Sequence, residues 1–329
     1  MRRETLIIIA SILVSLIFLV LVLRDVPLAD VGAALRQANF SWVLFGFVMV
    51  VFSIWTRAVR WRGLLNNRIS LRDALYLMGI TFMLNQLPLR VGEVARGLFV
   101  TQRDVPFMTA ATSIVIERVL DILIVVLMIA VAVPFLPDAP QQVTQGAVIF
   151  GIIGVAGFGI LLFFAYMPQV AHRILDFFLR ILPFLSRLPL ADWLDHTLEG
   201  LRPLTHWRTF AHAIVWTLIS WITSLFTLLA LLRALNIETN YWLMSFLGVA
   251  LASLSIAIPV SVAAIGLFEG AVILAGELVG IDTVSATALG FLYHGNAVLG
   301  YIVVGAVGMF SLGISIGDVF KRDELPDKS

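Results

Sequence analysis

The chain has 329 residues, 60% of them hydrophobic and 13% charged, with a mean hydropathy of +1.00. That balance excludes a soluble globular class, so a membrane protein without a soluble catalytic domain is expected. A net charge of +1 gives no basic field for nucleic acid, and the absence of cysteine excludes disulfides, thiolate metal sites and cysteine nucleophiles. His172, His196, His206, His212 and His294 lack the H-E-x-x-H spacing that puts two ligands on one helix face. Neither a metal nor a cofactor is expected.

In chain order, Met-Arg-Arg-Glu precedes an apolar run from Leu6 to Leu23 with no A-x-A-like cleavage site, which reads as an uncleaved anchor. Asp30 to Asn39 reads as a short surface helix, and the Asn39-Phe40-Ser41 sequon as chance. Full apolar spans are predicted at 5–23, 41–58, 106–134, 145–167, 210–232 and 284–317. Arg57, Arg60 and Arg62, interleaved with Trp55 and Trp61, read as an interfacial anchor at the end of the second span. Two further apolar stretches, 73–99 and 241–280, are interrupted at Asn85-Gln86-Leu87-Pro88 and at Ile258-Pro259-Val260-Ser261. Proline breaks a helix, and freed backbone groups are tolerated at membrane depth only under protein or against a wet cavity. These stretches are therefore expected to be broken or re-entrant. From Pro168 to Arg208, charges recur three and four residues apart among apolar side chains, which predicts an amphipathic helix lying along a leaflet. Gly300, Gly305, Gly313 and Gly317 read as helix-packing surface.

The expected fold is all-α: a polytopic integral membrane protein of about six full spans plus two broken or re-entrant helix pairs. Arg57 to Arg72, residues 168–209, and Lys321, Arg322 and Lys328 are rich in basic residues, whereas 134–145 has none. That asymmetry predicts cytoplasmic N- and C-termini. Residues 1–329 then form a single membrane domain in two halves, 1–137 and 145–320, of like plan and opposite direction. Such an inverted repeat places a substrate site at the interface between its halves; the alternative is two ordinary kinked spans.

Asn85, Arg90, Glu93 and Arg96 lie in or beside the first broken stretch, and Glu117, Arg118 and Asp121 lie inside the next span. An ionisable group at a span centre costs roughly 2.5–3.5 kcal/mol on insertion scales, so such groups face a partner or water. If Pro88 starts a half-helix, Arg90, Glu93 and Arg96 follow at i, i+3 steps, while Glu117 and Asp121 share a face at i, i+4. The carboxylates should have Arg90, Arg96 and Arg118 as partners. One reading is a polar groove gripping an anionic headgroup, aided by the half-helix N-terminus; the other is a cytoplasmic loop plus an internal salt bridge. Glu269 is the second-half counterpart, and His294 interrupts the last span.

The run Asn85-x-x-Pro88-x-Arg90-x-Gly92-Glu93-x-x-Arg96, followed by Glu117-Arg118-x-x-Asp121, resembles the flippase-like family typified by the transmembrane region of lysylphosphatidylglycerol synthase. Pro259, Ser261, Gly266 and Glu269 resemble its second-half signature, with Ala263 and Ala264 where glycines are common. The resemblance implies movement of a phospholipid or lipid-linked molecule between leaflets of the plasma membrane. The expected ligand is a membrane lipid with a phosphate-containing headgroup. Substrate-contacting residues would be Asn85, Arg90, Glu93, Arg96, Glu117, Arg118, Asp121, Ser261, Glu269 and His294, with Pro88, Gly92, Pro259 and Gly266 as the breaks. No aminoacyl-transferase region follows in these 329 residues and no phosphate loop is present, so neither lysyl transfer nor ATP-driven transport is expected. The chain is expected not to be an enzyme. The runner-up is a non-transporting partner that presents lipid to a separate transferase; a membrane enzyme acting on a polyprenyl phosphate ranks third.

Overall fold

The computed structural model describes residues 3–24, 26–87, 90–136, 139, 141–182, 189–257 and 262–315. Among these residues there are thirteen α-helices and no strand. The first six are α1 (Arg3–Leu23), α2 (Leu28–Arg36), α3 (Phe40–Leu64), α4 (Leu71–Leu84), α5 (Val91–Thr101) and α6 (Phe107–Ala132). They are followed by α7 (Gln141–Tyr166), α8 (Pro168–Ile181), α9 (Leu190–Leu201), α10 (Trp207–Ala234), α11 (Tyr241–Ala257), α12 (Leu267–Leu278) and α13 (Thr283–Leu312).

Among the described residues, four helices can cross a bilayer by length and composition: α3, α10, α13 and residues Thr144–Tyr166 of α7. The number rises to five if Ala10–Leu23 and Leu28–Arg36, bent by 90°, make one span. Six were expected. The difference lies in that bend and in α6, which is long enough at 26 residues but carries Glu117, Arg118 and Asp121 at its middle. Helix α7 is apolar all round and only 6% buried within the protein, so its Phe150, Ile152 and Ile153 need lipid to cover them.

Helix ends follow their local chemistry. Asn39 caps α3 by accepting from the Ser41 N–H, Ser70 caps α4 by accepting from the Asp73 N–H, and Asp282 caps α13 by accepting from the Ser285 N–H at 2.9 Å. Those donated hydrogen bonds hold the Asp282 carboxyl below the usual carboxylate range. A depressed folded-state value means that this cap stabilises above pH ~4 and is lost as pH falls through the folded value. Asp282→Ala should cost about 0.5–2 kcal/mol at neutral pH, and the cost should shrink as pH is taken down through the folded-state value, read from thermal melts across an acid series.

Two pairs of short helices interrupt this frame where the Pro and Gly punctuation predicts it. At about 1.5 Å per residue, α4 and α5 span roughly 21 and 17 Å, too short for a ~30 Å hydrocarbon core. The chain reverses between them. Asp73 pairs with Arg103, Met78 meets Arg96, and Gly92 abuts the Thr81 carbonyl, the contact pattern of an antiparallel hairpin. Helices α11 and α12 likewise pack on one another across the second break. The two breaks touch: the Ala263 N–H donates to the Gln86 carbonyl at 2.9 Å, and the neighbouring Val262 N–H donates to Ser15 Oγ of α1.

At the centre α3 packs along α10; α4 lies against α13, and α11 against α6. Backbones come close where glycine allows it: a Cβ on Gly305 would stand 2.9 Å from the Gly79 carbonyl oxygen, and one on Gly300 would stand 2.5 Å from Val50 Cγ1. Gly313 instead ends α13 in the left-handed region at φ 65° with open space around it. Gly317 lies outside the described residues. Helix α8 is the expected amphipathic element, burying Ala171 and exposing Ile174, Phe177, Phe178 and Ile181.

Candidate functional site: a buried arginine and carboxylate cluster

Four helices deliver the cluster. Arg60 of α3 is 2% exposed and reaches two carboxylates of α6, with Nη1 2.8 Å from Asp121 Oδ1 and Nη2 3.4 Å from Glu117 Oε1. Its Nη1 also donates to Thr217 Oγ1 of α10 at 3.0 Å. Arg96 of α5, also 2% exposed, holds the other Glu117 oxygen at 2.6 Å and lies over the Trp61 ring at 4.6 Å. Trp221 of α10 donates Nε1 to Asp121 Oδ1 at 3.2 Å. Glu117 and Asp121, one helical turn apart, thus share a face whose repulsion is offset by guanidinium groups from two other helices.

A second group of arginines faces open space. Arg57, Arg90 and Arg118, with Asp121, line a cavity of about 430 Å³ walled also by Phe82 and Tyr301. Arg57 stands 3.7 Å from Asp121 and over the rings of Phe82 and Trp221 at 5.8 and 5.4 Å. Arg118 bridges Glu93 at 3.1 Å and Asp121 at 3.9 Å. Arg90 is the N-cap residue of α5, in the left-handed region at φ 52°, and forms no ion pair with a described residue. The Nε atoms of Arg90 and Arg118 are buried without a hydrogen-bond partner.

A smaller, adjoining cavity lies where the two breaks meet, lined by Asn85, Gln86, Arg90, Arg118 and His294. Asn85 Oδ1 is buried there without a partner. Behind it Glu269, 3% exposed, accepts from the Gly266 N–H at 2.7 Å at the start of α12, where Gly266 takes φ 82°. Nδ1 of His294 hydrogen-bonds the other Glu269 oxygen at 2.7 Å, and its ring stacks on Phe268 at 4.5 Å. Gly92 lies in the first turn of α5, pressed on α4. Pro88, Pro259 and Ser261 lie outside the described residues.

The expected site residues therefore divide. Arg90, Glu93, Arg96, Glu117, Arg118 and Asp121 come together in one cluster, with Asn85 beside it and Glu269 with His294 as a neighbouring pair. Arg96 was expected on the groove wall but lines neither cavity, because Glu117 and the Trp61 ring hold it behind. Arg57, Arg60 and Trp61 are not a surface anchor: α3 runs on to Leu64, Trp61 is wholly buried with Nε1 donating to Ser113, and both arginines point inward. A signal existed for them. Ser53, Thr56, Arg57 and Arg60 recur at three and four residues along one face of α3.

Arginines and carboxylates buried within an apolar helical bundle, beside a cavity between broken helices, define a polytopic membrane protein with an internal polar site. The chain belongs to the lysylphosphatidylglycerol synthase TM region family, which matches residues 8–305. It is also similar to "Glycosyltransferase AglD" of Haloferax volcanii, at 25% identity over 357 aligned positions covering 96% of this chain and 55% of that protein. The chain thus spans about half the length of that curated relative. No solved structure matches.

Proposed function

We propose that the protein is a lipid translocator of the plasma membrane, moving a phospholipid or lipid-linked molecule by passing its phosphate-containing headgroup through the arginine-lined cavity while the tails stay in the bilayer. The observation that carries this reading is that Arg57, Arg90 and Arg118 face one cavity while Arg60 holds Asp121 at its wall and Arg96 holds Glu117 behind it. Guanidinium groups suit phosphate because their planar donors bind its oxygens two at a time. The arrangement of helices supports an inverted repeat with re-entrant hairpins α4–α5 and α11–α12: α4 meets α13 as α11 meets α6, and α3 meets α10 on the axis between halves. Cytoplasmic termini go with this plan; with Arg57 and Arg60 removed from the surface count, Arg62, Arg68 and Arg72 carry the first basic loop. No catalysis, cofactor or metal is part of this proposal.

Reconstitution tests it. Labelled lipids should cross proteoliposome leaflets faster than in empty liposomes, and Arg57→Gln should slow them at least about ten-fold, as losing a charged hydrogen bond worth roughly 1.5–3 kcal/mol implies. Movement no faster than in empty vesicles, across several headgroups, would sink the reading.

A second reading is favoured by the relative's name and extra length: the chain presents lipid to a separate lipid-modifying transferase without moving it. Copurification of a transferase, with unchanged leaflet distribution on deletion, would select it.

A further inference from the structure

We propose that the cavity is matched to a lipid phosphate carrying two negative charges, a phosphomonoester, in preference to the singly charged phosphodiester of common phospholipids. This rests on the translocator reading of the same site. The cluster contains five arginines, Arg57, Arg60, Arg90, Arg96 and Arg118, against three carboxylates, Glu93, Glu117 and Asp121, which leaves two positive charges in excess. Glu269 does not offset them. It forms no ion pair with any of the five arginines, its two oxygens being taken by the Gly266 N–H and by His294.

The excess has a definite place. Arg60 and Arg96 are spent on Glu117 and Asp121 at 2.6–2.8 Å and Arg118 on Glu93 at 3.1 Å, whereas Arg57 reaches only Asp121, already held by Arg60, at 3.7 Å. Arg90 lines the cavity and pairs with no described carboxylate; its Nε is buried without a hydrogen-bond partner, as are those of Arg60, Arg96 and Arg118. Two uncompensated guanidinium charges in an apolar bundle are costly, so the site is poised for a ligand that neutralises both. A phosphodiester supplies one charge. A phosphomonoester supplies close to two above its second ionisation near pH 6, with three terminal oxygens for three arginines. Lipids that carry that group include diacylglycerol phosphates and polyprenyl phosphates.

The test compares lipids that differ by one methyl group. Binding of dioctanoyl phosphatidic acid, its methyl diester (dioctanoyl phosphatidylmethanol) and farnesyl phosphate to the purified full chain in detergent is measured at pH 8 by intrinsic fluorescence and thermal shift. At least one monoester should bind ten-fold or more tightly than the methyl diester. Arg90→Gln, at a residue with no ion pair to a described residue, should narrow that gap to about three-fold or less while the protein still melts cooperatively. The tighter of the two monoesters identifies the tail the site accepts. A diester that binds as tightly as both monoesters, or a gap unmoved by Arg90→Gln, overturns the charge match and leaves the translocator reading standing. If no phosphate lipid binds at all, the translocator reading fails with it.

Discussion

Arg60→Ala should destabilise the protein by about 3–5 kcal/mol, more than removal of any other charge in the cluster, because it takes the shortest ion pair from buried Asp121 and one of the two guanidinium partners from buried Glu117. Arg60 is the only described side chain that contacts both Glu117 and Asp121 from α3, and it also ties α10 through Thr217. Without it Arg96 still reaches Glu117, but Asp121 keeps only the longer contacts with Arg57 and Arg118 and the Trp221 N–H. The apparent melting temperature in detergent should fall by on the order of 10 °C. Combining Arg60→Met with Asp121→Leu should recover part of the loss, since replacing a buried pair by apolar groups is often near neutral. A fall of one or two degrees for Arg60→Ala, or strict additivity in the double variant, would show that this pairing does not hold α3, α6 and α10 together.

How much of this was legible in the sequence depends on the kind of signal. Breaks in α4–α5 and α11–α12 are written locally, by proline and glycine among apolar residues, and they fall where expected. The charges of α6 were legible because a carboxylate inside an apolar run is anomalous in itself. Arg57 and Arg60 were misread for the converse reason. They stand at the end of an apolar run, where basic residues ordinarily mark a membrane edge, and the run was ended at residue 58, whereas α3 continues to Leu64. Their partners Glu117 and Asp121 lie 57 and 61 positions along the chain from Arg60, and no periodicity within one helix links them. The same limit applied to Glu269 and His294. Each was singled out, but their contact follows from the antiparallel packing of α12 on α13, which places Glu269 beside Gly290, one turn before His294. Pairing between helices is a property of packing, and sequence patterns within a helix are silent about it.

Gly92→Ala should separate the first hairpin and so reach the cluster without touching a charge. A Cβ at this position would overlap the Thr81 carbonyl oxygen and stand 2.7 Å from Asn85 Oδ1, and a backbone carbonyl fixed within α4 has little room to yield. Helix α5 would have to shift away, drawing Arg96 from Glu117 and re-aiming Arg90 on the cavity wall. Overpacking costs typically 1–3 kcal/mol, and the loss of alignment at the arginines should slow lipid movement by at least about ten-fold. Gly97→Ala on the same helix is the matched comparison: its Cβ would meet nothing nearer than Phe107 at 3.8 Å, and alanine in a helix interior gains about 0.5–1 kcal/mol over glycine. The two substitutions add the same methyl group to the same eleven-residue helix. Opposite signs in melting temperature, with activity lost only in the first, are the expected result. Equal effects at both sites would mean that the close approach of α5 to α4 does not set the geometry of the arginines.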